Sequence, residues 1–84
     1  GDTMWEKLAK ACGLRASADH IRGTHPESYF GYLREAAELF ESIEKFESAA
    51  SSYCDLGEYE RAGKIYLHEC GKFDAAAECF TLAG

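Results

Sequence analysis

The stretch GEYERAGKIY, residues 57–66, recurs in altered form as GKFDAAAECF, residues 71–80. In both copies an aromatic residue follows the glycine by two positions, an alanine comes three positions later, and a second aromatic residue comes four after that. Because residues three and four apart lie on one face of an α-helix, this spacing predicts a short amphipathic helix that begins just after a glycine turn. We therefore interpret the repeated stretch as a unit of packing rather than as a binding site.

Two weaker copies of the unit precede these. The alanine of the Ala-x-x-x-aromatic step recurs at intervals of 13, 13 and 14 residues. The interval of 14 contains one residue more than the others. This extra residue lies in the helix that starts at Tyr59, because Cys70 follows Tyr66 by four positions, whereas Ile43 follows Phe40 by three. A turn position is predicted after each helix, at Glu44, Gly57, Gly71 and Gly84. The predicted packing residues of the four copies are Ala36, Phe40, Ala49, Tyr53, Gly57, Tyr59, Ala62, Tyr66, Gly71, Phe73, Ala76 and Phe80.

The composition favours an all-α fold. The chain has three Ile, three Thr and no Val, so helix formers outnumber β-branched residues. Helices of about ten residues are too short to be stable alone in water and must bury their apolar faces against neighbours. Short connections between such helices favour antiparallel packing of successive helices. The sequence thus predicts about five to six short antiparallel helices stacked as an α-solenoid.

A chain of 84 residues is expected to form one structural domain. Residues 1–25 are predicted to form an N-terminal helical segment of one or two short helices, with Gly13 as the end of the first. The apolar stripe predicted to be buried in this segment consists of Trp5, Leu8, Ala9 and Cys12. Residues 26–84, which begin at the only proline, hold the repeats of 13–14 residues per helix.

The segment LGEYERAGKIY, residues 56–66, resembles the tetratricopeptide-repeat (TPR) superfamily. In that family a glycine ends the first helix of a pair, and an aromatic residue and an Ala-x-x-x-aromatic step pack between helices. The matching residues here are Gly57, Tyr59, Ala62 and Tyr66. The resemblance extends over residues 33–84 and implies a right-handed α-solenoid that binds proteins or peptides. Two units here span only 26 or 27 residues, against about 34 in a standard repeat, and none of the family's peptide-clamping side chains maps onto this sequence.

The chemistry-bearing residues do not form a recognisable catalytic or metal motif. The chain has four cysteines and three histidines, but no C-x-x-C pair. Cys70 and Cys79 occupy repeat positions that hold apolar residues in other copies, so we interpret them as core residues. The sequence therefore predicts no catalytic residue, no metal site and no cofactor, and reduced thiols in an intracellular protein of the cytoplasm or nucleus.

The charged side chains are unevenly distributed along the chain, and their balance indicates what kind of partner the protein can bind. Residues 26–84 hold five basic and twelve acidic side chains, a net charge of −7. Such a surface disfavours direct nucleic-acid binding and favours a basic protein or peptide. No apolar run approaches the about 20 residues that cross a bilayer, so no membrane partner is expected.

The last predicted helix, residues 73–83, is mostly apolar and is typical of an interior repeat rather than a polar cap. We therefore expect a fragment of a larger protein that self-associates through this helix. The favoured function is a non-catalytic protein-interaction or scaffolding module. Two alternatives stay open, a structural spacer within a large multidomain enzyme such as a helicase-related protein, and a metal-binding or redox module.

Overall fold

The computed structural model describes residues 2–84, and Gly1, the first residue of the predicted N-terminal segment, lies outside them. The described residues form five α-helices and no strand, which confirms the all-α prediction. The helices are α1 (Asp2–Ile21), α2 (Pro26–Ser42), α3 (Phe46–Asp55), α4 (Tyr59–Ile65) and α5 (Phe73–Ala83). A single π-helical turn, Tyr66–Cys70, continues α4 and is called the π-turn below. Each helix packs against the next one along the chain.

The N-terminal segment is one continuous helix of 20 residues, so the predicted end at Gly13 is wrong. A glycine inside a helix costs only about 1 kcal/mol relative to alanine, which the rest of the helix offsets. The chain turns instead after Ile21, whose carbonyl accepts hydrogen bonds from the backbone N–H groups of Thr24 and His25. Pro26 then occupies the first turn of α2, where its missing N–H costs nothing.

The stripe of α1 that was predicted to be buried lies mostly in solvent. Trp5 is 65% exposed, and Ala9 and Cys12 are exposed as well. The face turned to the core instead carries Leu8, Ala11, Leu14 and Ala18. Because α1 has apolar residues on two faces and only one of them packs on α2, the second face remains uncovered by the described residues.

The turns between the later helices share one backbone conformation. Glu44, Gly57 and Gly71 have φ values of 62°, 84° and 64°, in the left-handed region. At the first two turns, the N–H of Lys45 bonds to the carbonyl of Phe40 at 2.8 Å and the N–H of Glu58 bonds to that of Tyr53 at 2.9 Å. Both are the six-residue closure of a Schellman motif, which satisfies carbonyls that the helix end leaves free. Of these three turn positions, only Glu44 has a side chain beyond hydrogen.

The Glu44→Gly variant is expected to raise the free energy of unfolding by about 1 kcal/mol, because a residue with a Cβ is strained in the left-handed region. Removing a negative charge from a helix C-terminus acts in the same direction. Urea denaturation followed by circular dichroism measures the change. The matched reverse change, Gly57→Ala, should lower the free energy of unfolding by about 1 kcal/mol from backbone strain alone, since a Cβ there would have no atom within 4 Å. Equal signs for the two variants would contradict this account.

The π-turn accommodates the one extra residue of the 14-residue interval. The backbone N–H groups of Gly71 and Lys72 both bond to the carbonyl of Tyr66. A π-turn holds one residue more than an α-turn. The helix can therefore bulge outward while the residues before and after the bulge keep the same face of the helix turned toward the core. The odd interval in the sequence thus has a local structural counterpart.

Small side chains form much of the core. Residues with no exposed surface include seven alanines: Ala11, Ala18, Ala36, Ala37, Ala49, Ala50 and Ala62. Between them lie Leu33 and Tyr53, the two largest hydrophobic side chains with no exposed surface. Alanines let neighbouring helices approach closely, and the few large side chains fill the remaining gaps. The molecule is a flat slab with extents of 36 × 30 × 13 Å.

Candidate interaction surface

One apolar stripe of the repeat unit is covered in the first copies and uncovered in the last. In α5 it consists of Phe73, Ala77 and Phe80, spaced i, i+4 and i+7, and is called the α5 stripe below. The equivalent residues in the earlier units are Leu33, Ala37 and Phe40, then Phe46, Ala50 and Tyr53, then Tyr59, Gly63 and Tyr66. All nine are buried or half-buried, whereas all three residues of the α5 stripe are exposed. The same packing surface is therefore present in α5, where the described helices leave all three of its residues exposed.

Of the aromatic residues predicted to pack, Phe73 and Phe80 are the two that are exposed. Phe73 is 68% exposed and Phe80 is 36% exposed. The other predicted packing residues lie in the core, at its edge or at the turns. Ala36, Phe40, Ala49, Tyr53, Ala62 and Ala76 are buried, Tyr59 and Tyr66 are half-buried, and Gly57 and Gly71 are at the turns. The two exceptions follow from position, because Phe73 lies mostly in solvent and α4 covers only part of the Phe80 ring.

Phe80 shows how a stripe aromatic meets a neighbouring helix. A Cβ added to Gly63 of α4 would lie 2.8 Å from Cε1 of the Phe80 ring. The ring therefore rests directly on the backbone of α4, which only glycine permits at this separation. This contact covers part of the ring and leaves the rest of it in solvent.

A polar cluster that the sequence did not indicate links α2, α3 and α4. The hydroxyl of Tyr53 donates to the Glu41 carboxylate at 2.8 Å, and Arg61 donates to the same carboxylate at 2.9 Å. The Arg61 guanidinium carbon also lies 4.3 Å from the centre of the Tyr53 ring, a cation–π contact. Burial of the ring is the main reason that the pKa of Tyr53 is raised above its usual value. The sequence offered one signal for this cluster, since a buried tyrosine needs a partner for its hydroxyl.

Further side-chain pairs connect helices that are two apart in the chain. Arg15 of α1 donates to Ser52 of α3 at 3.0 Å and pairs with Asp55. Glu47 of α3 pairs at 3.0 Å with Lys72, the residue before α5. A third such pair joins Arg34 of α2 to Glu58, the residue before α4. Alternate helices are therefore near neighbours, not only consecutive ones.

The cysteines occupy different environments. Cys79 is buried, Cys54 and Cys70 are half-buried, and Cys12 is exposed. The Sγ atoms of Cys54 and Cys79 lie 3.1 Å apart. This proximity between α3 and α5 is not apparent from the sequence, where the two residues stand 25 positions apart.

The described residues show no group of three or more His, Cys, Asp or Glu side chains placed to hold a metal ion. A shallow cleft of about 750 Å³ lies between the start of α4 and the end of α5. Half of its lining residues are charged, and none of them is a histidine or a cysteine. Over the same part of the chain, none of the helices combines the length and apolar character needed to cross a membrane.

No family model matches the chain, and no curated protein or solved structure matches it significantly. The comparisons therefore show no family. The likeness to the TPR superfamily remains an expectation drawn from residues 33–84 alone.

Proposed function

We propose that the chain is a non-catalytic protein-interaction module in which a helix of another protein packs on the α5 stripe. The observation that carries this proposal is the exposure of Phe73, Ala77 and Phe80, whose equivalents in the earlier units are covered by neighbouring helices. Exposed apolar surface of this kind typically marks an interaction site. A partner helix on this stripe would repeat a packing mode that the chain already uses internally.

The proposal rests on a stacked arrangement of short helices, an α-solenoid similar to TPR proteins. Two features support it, namely the packing of each helix on the next and the side-chain pairs between alternate helices. In a stack of this type, each unit contacts only nearby units, and the end units present a face that a further helix can cover.

The charges around the stripe favour a basic partner. Asp74 and Glu78 are exposed on the same helix, beside the stripe. Residues 26–84 as a whole carry a net charge of −7. We therefore propose an amphipathic partner helix with basic side chains along the edge of its apolar face. The Phe80–Gly63 contact further suggests a glycine or alanine opposite the aromatic rings.

A selection from a library of displayed helical peptides should enrich sequences with an apolar face, small residues and flanking Lys or Arg. Their affinity is expected to fall at least about tenfold for the Phe73→Glu, Ala77→Glu double variant, because buried carboxylates on the stripe would oppose binding. Titration calorimetry measures the affinity, and higher salt should weaken it. Tyr32→Glu, at an exposed aromatic residue of α2, is the matched control and should leave the affinity unchanged.

Enrichment of acidic peptides, or equal loss of affinity in the Tyr32→Glu control, would count against a basic helix on the α5 stripe. Sedimentation of the unmodified chain tests the other expected occupant, a second copy. A concentration-dependent dimer that the double variant abolishes would assign the stripe to self-association instead.

A further inference from the structure

Two thiols from different helices meet in the structure. The Sγ atoms of Cys54 in α3 and Cys79 in α5 lie 3.1 Å apart. A disulfide requires about 2.05 Å, so the two sulfurs need to approach by about 1 Å. That is a shift that side-chain rotation and a small helix movement can supply.

The pair is accessible from one side. Cys79 is buried and Cys54 is half-buried. Both border a cavity of about 250 Å³ that is also lined by Tyr59, Tyr66 and Glu78. A small hydroperoxide such as hydrogen peroxide fits a space of this size, and Cys54 is the more exposed of the two thiols.

We infer that Cys54 and Cys79 form a redox modification site, at which a hydroperoxide oxidises the two thiols to a disulfide that joins α3 to α5. In the first step, the thiolate of Cys54 attacks one peroxide oxygen, the O–O bond breaks, and one water leaves after protonation. In the second step, the sulfur of Cys79 attacks the sulfenic acid of Cys54. The displaced hydroxide takes the proton of Cys79 and leaves as a second water. The two thiols lose two electrons and two protons, and one hydrogen peroxide becomes two waters.

The surroundings set the speed of this reaction. Burial, the contact with Cys79 and the negative charges of Asp55 and Glu78 raise the pKa of Cys54 to about 12. The other titratable side chains on the cavity are Tyr59 and Tyr66, and burial raises the pKa of Tyr66 as well. Since the thiolate is the reactive form, oxidation should be slow at neutral pH. Below this pKa, each increase of one pH unit should make the oxidation about tenfold faster. The pair therefore responds to sustained oxidation rather than to a brief pulse.

The disulfide would fix α5 on the rest of the stack. It closes a loop of 25 residues, which restricts the unfolded chain and should lower the equilibrium constant for unfolding by about two orders of magnitude. The site does not depend on a partner at the α5 stripe, so it can be tested whether or not the proposed function holds.

The test uses the full chain and the Cys12→Ser, Cys70→Ala double variant, which keeps only the pair. After treatment with hydrogen peroxide at pH 7.5 and 8.5, the mass of the intact protein should fall by two hydrogen atoms. This oxidation should be about tenfold faster at the higher pH. Peptide mapping should show a Cys54–Cys79 link, dithiothreitol should reverse it, and the melting temperature should rise on oxidation. In the matched Cys54→Ser, Cys79→Ser variant, no intramolecular link should form. A link through Cys70 in the unmodified chain, or sulfinic acid at Cys54 without a link, would overturn the inference.

Discussion

The Tyr53→Ala variant is expected to lose about 3–5 kcal/mol of the free energy of unfolding, as is usual when a buried aromatic side chain is truncated. Tyr53 has no exposed surface and contacts Glu41 of α2 and Arg61 of α4. Its removal would leave a cavity at the centre of three helices and would separate a half-buried carboxylate from its hydroxyl donor. Because small domains are stable by only about 5–15 kcal/mol, much of the cooperative unfolding transition should be lost. Urea denaturation followed by circular dichroism measures the change.

Two further variants show which part of Tyr53 stabilises the fold and whether its burial matters. Tyr53→Phe keeps the ring and removes one hydrogen bond, so it should cost only about 1–2 kcal/mol. Phe73→Ala truncates an aromatic side chain that is 68% exposed, and it should change the free energy of unfolding by less than about 0.5 kcal/mol. Equal costs for the Ala variants of Tyr53 and Phe73 would contradict the assignment of Tyr53 to the core. Equal costs for the Phe and Ala variants of Tyr53 would assign its role to the hydroxyl alone.

The features that the sequence predicted correctly depend on neighbours in the chain. The all-α class follows from the composition and from apolar residues spaced three and four apart. The turn at Glu44 is more informative, because glutamate is a poor residue for the left-handed region and only its place in the repeat indicated it. The odd interval of 14 residues likewise located a local feature, the π-turn at Tyr66–Cys70.

The features that the sequence did not predict depend on which helices meet. The helix α1 has two apolar faces, and nothing local distinguishes the face with Ala11 from the face with Trp5. The Glu41–Tyr53–Arg61 cluster and the Cys54–Cys79 pair each join residues that the chain separates by 8 to 25 positions. Such contacts are set by the close approach of helices, which depends on small residues such as Gly63 at the contact points.

Deletion of His68 is expected to leave the fold intact and to change the free energy of unfolding by less than about 1 kcal/mol. His68 is an exposed residue of the π-turn. Without it, Cys70 would follow Tyr66 by three positions, as Ile43 follows Phe40, and the π-turn would become an ordinary α-helical turn. The bonds of an α-turn have the better geometry, which offsets the loss of one side chain.

The matched control is deletion of Ser48, an exposed residue of α3, where the interval is already 13 residues. This deletion rotates Ala49 and Tyr53 by about 100° relative to Phe46. Both side chains would leave the core, and the free energy of unfolding should fall by about 3–5 kcal/mol or more. Urea denaturation compares the two deletions, and circular dichroism reports the helix content. A bulge that only accommodates an extra residue can be removed at little cost to stability. If deleting His68 lowered the free energy of unfolding as much as deleting Ser48, the extra residue would instead be part of the packing between helices.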